Sequence, residues 1–186
     1  MCAVEYYTYD EYVTWEGNWE MIAGVPLAMA PAPMIEHQIL AYEIAYQLKS
    51  SVNKCRRQCL VFGEADWKVN DDTVVKPDVV LICNETNDAY MTKAPEIIVE
   101  VISKATAKRD EKTKFKLYQE EQVKYYVIVY PTDLKAKIYK LINGVYVKQG
   151  DFLTETYEFD ESECPASIDF GAVFEPIRRQ RSAKNA

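Results

Sequence analysis

The chain has 186 residues, 48% hydrophobic and 27% charged, which suits one globular domain with a sizeable core and is short for two. A formal net charge of −7 and a pI of about 4.9 argue against a protein that binds nucleic acid through overall positive charge. No apolar run reaches the roughly 18 residues of a membrane span, and Met1–Tyr12 lacks the basic start of a signal peptide, so we expect a cytoplasmic protein without a membrane partner.

The N-terminal part predicts three elements before the first long strand. They are a short helix at Tyr9–Trp15, a hairpin formed by Trp19–Ala23 and Pro26–Ala30, and a helix at about Ile35–Ser50. The long helix begins after the Pro31 to Pro33 turn, which stops any strand. His37, the only histidine, lies on the apolar stripe of this helix. We therefore expect His37 to face inward.

Strand-like runs dominate the rest of the chain. They are Cys59–Val69, Pro77–Cys83, Glu96–Ile102, Tyr125–Tyr130, Ala136–Ile142 and Val145–Val147, with a charged helix at about Lys108–Gln122. The second and third runs are continuously apolar apart from their acids, as in strands buried on both faces. This pattern predicts an α/β (α+β) fold with a mixed β-sheet core flanked by helices.

The C-terminal part is weakly patterned. An acidic segment and a basic tail follow Gly150, and we expect irregular structure with a frayed end there. The whole chain, residues 1–186, is predicted to be a single domain. Its core is expected at about residues 9–148, followed by an extension over residues 149–186.

Charge is segregated along the chain. Residues 1–48 contain seven acids and no Lys or Arg, whereas basic clusters stand at Lys49–Arg57, Lys104–Lys116 and Arg178–Lys184. This segregation is compatible with a locally basic face on an acidic protein, and equally with an ordinary solvated surface.

Five cysteines stand at irregular spacings: Cys2, Cys55, Cys59, Cys83 and Cys164. An odd number in a chain of this length does not suggest a disulfide framework, so reduced thiols are expected. Cys55 and Cys59 lie one helical turn apart if the helix continues. However, a single histidine and the lack of a Cys-x-x-Cys pair leave no complete zinc set.

Two carboxylates interrupt the buried strands. Asp78 stands near the start of one strand and Glu100 near the end of the next, and Glu96 is a further candidate. Burying a lone carboxylate is costly, so such acids need a cation or a hydrogen-bond donor nearby. Mg²⁺ takes oxygen ligands and is usually completed by substrate phosphate. The two acids therefore suit a metal site that activates water and offsets charge in phosphodiester hydrolysis.

A lysine near the acids would stabilise the transition state of such a reaction. Ile102 occupies the position two residues after Glu100 on the same strand face, so that position supplies no lysine. Lys114 lies one helical turn after Asp110 and one before Tyr118. An ordinary exposed salt bridge between Asp110 and Lys114 is the competing interpretation.

An ordered set of motifs resembles the Uma-two family, which is grouped with restriction endonucleases in the PD-(D/E)xK nuclease superfamily. The resemblance covers roughly residues 9–148. Its motifs are Trp19-Glu20-Met21-Ile22, Gly24, the Pro31 to Pro33 turn, His37, Pro77-Asp78, Glu100-Val101-Ile102-Ser103, Thr106, Arg109-Asp110, Lys114, Leu117-Tyr118 and Val123. It implies a restriction-endonuclease-like fold.

The resemblance also implies an activity and a site. By analogy the protein is a homodimeric endonuclease that uses Mg²⁺ or Mn²⁺ to hydrolyse nucleic acid, with DNA expected. The matching metal ligands are Asp78, Glu100 and the backbone carbonyl of Val101, and the matching catalytic lysine is Lys114. Supporting positions are His37, Ser103, Asp110 and Tyr118, and the expected nucleic-acid contacts are Lys104, Lys108 and Arg109. The alternative is a catalytically inactive nuclease fold that acts as a binding or assembly module, which the acidic net charge would fit.

Overall fold

The elements of the chain surround a central mixed sheet. The structure, a computed structural model, describes residues 5–29, 34–103 and 107–184. In chain order the elements are α1 (Tyr9–Tyr12), β1 (Trp19–Ile22), β2 (Val25–Ala28), α2 (Ile35–Val52), β3 (Cys59–Phe62), β4 (Trp67–Asn70), β5 (Thr73–Val75), β6 (Val79–Cys83), β7 (Ile97–Val101), α3 (Phe115–Glu120), β8 (Tyr125–Tyr130), β9 (Lys135–Ile142), β10 (Val145–Phe152), β11 (Thr156–Phe159), β12 (Ala166–Asp169) and α4 (Phe170–Lys184). None of these described helices is both long and apolar enough to cross a membrane.

The central sheet has six strands in the order β10-β9-β8-β7-β6-β3. Only β7 and β8 pair in parallel, and the other neighbours are antiparallel. Every residue of β6 and β7 is buried, because α2 and α4 cover one face and α3 covers the other together with β4 and β5. Alternate residues of β6 accordingly belong to different core clusters, one packed on α2 and α4 and the other on α3. The predicted mixed sheet flanked by helices is confirmed.

A smaller four-stranded sheet holds the N-terminal hairpin, in the order β2-β1-β5-β4. Met21 of β1 is fully buried and pairs with Val74 of β5. The predicted run Cys59–Val69 is divided between the two sheets, because the chain turns at Gly63. A side chain at Gly63 would meet the backbone carbonyl of Asp78 at 2.0 Å, so only glycine allows this close approach.

The helix predicted at Lys108–Gln122 is present in a modified form. Residues Arg109–Lys114 form a π-helical turn that leads directly into α3, and such turns are frequent at functional sites. Asp110 and Lys114 both lie on its buried side.

The irregular C-terminus predicted from the sequence is wrong. Strand β10 continues to Phe152, β11 and β12 form a hairpin, and α4 runs to Lys184. Four apolar residues of α4 are fully buried in the core: Phe170, Val173, Phe174 and Ile177. Their spacing is that of a helical stripe, so the helix forms because it covers one face of the central sheet.

The reduced thiols predicted from the sequence are also wrong for this structure. Disulfides join Cys55 to Cys164 and Cys59 to Cys83. The physical reason is the sheet register, which pairs Cys59 of β3 directly with Cys83 of β6. Cys2 lies outside the described residues.

Candidate active site

The two strand acids meet at one end of the central sheet. Because β6 and β7 are antiparallel with Val79 opposite Val99, the same register places Asp78 beside Glu100. The backbone N–H of Val101 donates a hydrogen bond to Asp78 Oδ2 at 2.7 Å. The sheet therefore holds the carboxylate of Asp78 against the end of β7. Glu96 is at the other end of β7, where Lys124 Nζ lies 2.9 Å from Glu96 Oε2, so it is not part of this cluster.

His37 joins the cluster from the first turn of α2. Its Nε2 lies 3.2 Å from Asp78 Oδ2, and its side chain is only 14% exposed. Burial lowers the pKa of this imidazole, but the hydrogen bond and negative charge of Asp78 outweigh burial and leave the pKa above its usual value. The inward orientation predicted for His37 is confirmed, and its partner is a site carboxylate.

Lys114 is the central cation of the cluster. Its Nζ lies 2.6 Å from Glu20 Oε1, 2.9 Å from Glu100 Oε1 and 4.0 Å from Asp110 Oδ1, and its side chain is 1% exposed. Burial lowers the pKa of the ammonium group, but the surrounding carboxylates raise it well above its usual value. Lys114 therefore stays protonated, and the alternative of an exposed Asp110–Lys114 salt bridge is wrong.

Two buried tyrosines complete the hydrogen bonding. The hydroxyl of Tyr118 donates to Glu100 Oε1 at 2.7 Å, and that of Tyr126 donates to the backbone carbonyl of Asp110 at 3.0 Å. Burial raises the pKa of Glu100 well above its usual value, and the neighbouring carboxylates add to this effect while Lys114 opposes it. Glu100 thus depends on nearby cations for its charge.

Glu20 is a site residue that the sequence did not assign. It lies on β1, is fully buried, and its Oε1 accepts a hydrogen bond from the backbone N–H of Lys76 at 2.8 Å besides contacting Lys114. Its Oε2 is 3.4 Å from Arg109 Nη1 and accepts no hydrogen bond within the described residues. The available signal was an acid inside a short apolar strand, the same feature that marked Asp78 and Glu100.

The predicted nucleic-acid contacts are placed differently from one another. Arg109 is 18% exposed, contacts Glu20 and lies with its Nε 3.8 Å from Asp110 Oδ1, so it belongs to the buried network. Lys108 is exposed, and Lys104 lies outside the described residues. Ser103 follows β7 and is partly buried.

Comparisons with known proteins agree with these features. The family model described as "Uma2: Putative restriction endonuclease" matches residues 5–164. The chain belongs to the Uma2 family. The family that the sequence motifs indicated is therefore confirmed.

The fold has a solved counterpart. A crystal structure of "a putative nuclease belonging to DUF820" from Anabaena variabilis ATCC 29413 superposes with a TM-score of 0.71 at 16% sequence identity. The match covers 90% of this chain and 97% of the other. It shows a shared fold for this Uma2 protein. No curated protein matches the chain.

A divalent cation fits the donor set of this Uma2 protein. The cluster contains four carboxylates, Glu20, Asp78, Glu100 and Asp110, against two permanent cations, Lys114 and Arg109. The acidic side chains of the cluster therefore outnumber its permanent cations by two. Within the described part of the chain, Asp78 and Glu100 each use a single oxygen for their contacts, so Asp78 Oδ1 and Glu100 Oε2 stay available. Hard oxygen donors with excess negative charge are what Mg²⁺ and Mn²⁺ bind.

Proposed function

We propose that this protein is a Mg²⁺-dependent endonuclease that hydrolyses phosphodiester bonds in nucleic acid, with DNA as the expected substrate. The observation that carries the proposal is the buried contact between Lys114 and Glu100, with Asp78 held beside them on the next strand. Burial and charged neighbours raise the pKa values of both Glu100 and Lys114, and ionisable groups perturbed in this way cluster at functional sites. The family description supports nuclease chemistry in general.

Asp78 and Glu100 would hold the metal, with the backbone carbonyl of Val101 as a third ligand. A bound divalent metal supplies an activated water and neutralises charge on the phosphate. The chain positions these ligands by identified contacts: the Val101 N–H orients Asp78, while Lys114 and Tyr118 orient Glu100. His37 supports Asp78 from the opposite side.

Lys114 supplies a fixed positive charge next to the ligands. Its ammonium group is held by Glu20 and Glu100 at 2.6 and 2.9 Å, so it needs little reorganisation when charge develops on the scissile phosphate. We assign Glu20 the role of positioning Lys114. Asp110 contributes from one helical turn away, at 4.0 Å.

A basic groove beside the cluster would receive the phosphate backbone. It encloses about 530 Å³ and is lined by Ile22, Val25, Leu27, Lys108, Arg109, Lys112 and Thr113. Lys108 and Lys112 are exposed and can contact phosphates directly. Arg109 lines the groove and also contacts Glu20, so it connects this surface to the buried carboxylates.

Mn²⁺ binding and DNA cleavage by the Asp78→Asn variant test the proposal. Asparagine keeps an oxygen that accepts the Val101 N–H but removes the charge. We expect calorimetry to show Mn²⁺ binding by the wild type and its loss in this variant, together with loss of metal-dependent cleavage and an unchanged circular dichroism spectrum. Asp88→Asn is the matched control, since Asp88 is exposed in the loop after β6, and it should behave as wild type.

Two results would overturn the proposal. One is cleavage retained by a folded Asp78→Asn variant. The other is a wild-type protein that binds no Mn²⁺ at millimolar concentration, which would favour the inactive binding or assembly module. The homodimer stays a prediction, which light scattering on the purified protein can check, and the cytoplasmic location stays a prediction as well.

A further inference from the structure

Four cysteines gather at the end of β6 that lies farthest from Asp78. Cys55 follows α2, Cys59 begins β3, Cys83 ends β6, and Cys164 lies between β11 and β12. Disulfides connect Cys55 to Cys164 and Cys59 to Cys83. The two pairs touch, because Cys59 Sγ lies 3.1 Å from Cys164 Sγ. Three separate segments of the chain, around residues 55–59, 83 and 164, thus bring four sulfur atoms together.

Three of these sulfurs have the spacing of a metal site. Cys55, Cys59 and Cys164 have sulfur atoms that all lie within 4.8 Å of one another, and Cys83 is bonded to one of them. Four thiolates about 2.3 Å from a tetrahedral Zn²⁺ are about 3.8 Å from each other. Because the paired Cα atoms are only 5.8 and 4.0 Å apart, side-chain rotation can bring the sulfurs to this spacing without refolding of the backbone.

Polar contacts beside the cysteines hold their segments in place. Glu163 accepts hydrogen bonds from the side chains of Arg57 and Asn84, each at 2.9 Å. Glu163 precedes Cys164, Asn84 follows Cys83, and Arg57 lies between Cys55 and Cys59. The three cysteine-bearing segments are therefore connected through one carboxylate. Such outer contacts orient the ligands of metal sites.

The four cysteines differ in their exposure to solvent. Cys164 is fully buried and Cys83 is 7% exposed, while Cys55 and Cys59 are partly exposed and leave a path for an ion. A dithiol reductant opens both disulfides and leaves four thiols. In the reduced state the cluster consists of four soft sulfur donors in a closed set, the pattern of structural zinc sites.

We propose that the reduced form of this cluster binds one Zn²⁺ ion through Cys55, Cys59, Cys83 and Cys164. Reduction of the two disulfides consumes two equivalents of a dithiol, each of which gives up two electrons and two protons and becomes a disulfide. Zinc binding then releases the thiol protons to solvent. The ion ties the β11–β12 hairpin to α2 and to the edge of the central sheet, and it is independent of the carboxylate site.

Titration with Co²⁺ tests the proposal directly. The full-length protein is reduced with a dithiol under anaerobic conditions, desalted, and titrated with Co²⁺ alone. We expect thiolate-to-metal charge-transfer absorption that saturates at about one ion per chain and is abolished by Zn²⁺. Cobalt bound to carboxylates does not produce this absorption, so the Asp78 site does not contribute.

Single-cysteine variants provide the controls. Cys164→Ser should lose the charge-transfer absorption. Cys55→Ser, at a partly exposed position, should lose it as well, and this variant serves as the test if Cys164→Ser does not fold. Cys2→Ser should keep it. In the wild type, Zn²⁺ should protect four cysteines from alkylation and leave one reactive.

Three outcomes would overturn the zinc site. The first is the absence of charge-transfer absorption in the reduced, folded wild type. The second is the same absorption in folded Cys164→Ser and Cys55→Ser variants. The third is alkylation of all five cysteines in the presence of saturating Zn²⁺.

Discussion

Strand β6 has a different chemical cluster at each of its ends. At the start, Asp78 belongs to a buried network of carboxylates and cations, and at the end, about 17 Å away, Cys83 belongs to a cluster of sulfur atoms. The charged cluster is visible in the sequence, because an acid in an apolar strand must have a partner. The sulfur cluster is not visible, because a cysteine is compatible with an apolar strand and breaks no pattern. The comparison teaches that a sequence reveals buried residues that need compensation, but not those that the core tolerates.

The largest expected loss of stability comes from removing the lysine at the centre of the carboxylate cluster. Lys114→Met leaves Glu20, Glu100 and Asp110 buried without their shared partner, and it should lower the free energy of unfolding by about 3–5 kcal/mol. Urea denaturation of the purified variant measures this. Lys116→Met, two residues away at a side chain that is 75% exposed, should change little. Equal losses in both variants would show that the network does not depend on Lys114.

A smaller loss of stability is expected when a disulfide is removed from the sulfur cluster at the other end of β6. In the oxidised, metal-free protein, Cys55→Ser removes a disulfide that spans 109 residues, and the free energy of unfolding should fall by about 2–4 kcal/mol. Urea denaturation with and without a reductant measures the effect. With reductant, the wild type and the variant should have the same free energy of unfolding. A difference that persists in full under reducing conditions would mean that packing, and not the crosslink, is responsible.

Removing one tyrosine hydroxyl tests how much a hydrogen bond to a charged acceptor stabilises the carboxylate cluster around Asp78 and Glu100. Tyr118→Phe deletes the buried hydrogen bond to Glu100 and should cost about 1.5–3 kcal/mol, since the acceptor carries charge. Tyr146→Phe is the matched comparison, because its buried hydroxyl donates to the neutral backbone carbonyl of Val123 at 3.0 Å and should cost about 1 kcal/mol. Both values come from chemical denaturation. A larger loss for Tyr146→Phe would contradict the charge-assisted bond.

The smallest effect concerns the loop that follows Cys83. The carboxylate of Glu85 accepts hydrogen bonds from the backbone N–H groups of Thr86, Asn87 and Thr92. Burial raises the pKa of Glu85, but these hydrogen bonds dominate and lower it from 4.5 to about 2. Its stabilisation is therefore fully present above pH 4.5 and is lost as the pH falls through about 2.

The Glu85→Gln variant tests this pH dependence. Near neutral pH it should lower the free energy of unfolding by about 1 kcal/mol, since solvent screens this partly exposed group. The difference from wild type should disappear as the pH approaches 2. Denaturant titrations across the acid range measure it, with Glu158→Gln, exposed on β11, as the control. A difference that is constant with pH would contradict the lowered pKa.

Much of the central sheet could be predicted from the sequence. The strand Tyr125–Tyr130 has the predicted bounds, and the neighbouring runs at Pro77–Cys83 and Glu96–Ile102 are each two residues longer than β6 and β7. These runs are continuously apolar, which is a strong local signal. The C-terminal helix was missed because its apolar stripe lies among many charged residues. This segment buries Phe170 and Phe174 only because they pack against one face of the central sheet.

The sequence by itself determined which residues need partners. Asp78 and Glu100 stand in strands too apolar to leave a charge uncompensated, and Lys114 stands at helical spacing from two polar residues, whatever the fold around them. The tertiary structure alone decided which partners they have. Glu20 of β1 meets Lys114 of the π-helical turn, and Cys164 meets Cys55 across 109 residues. Those contacts depend on strand register and on how the helices dock, and neither is encoded in any local pattern of residues.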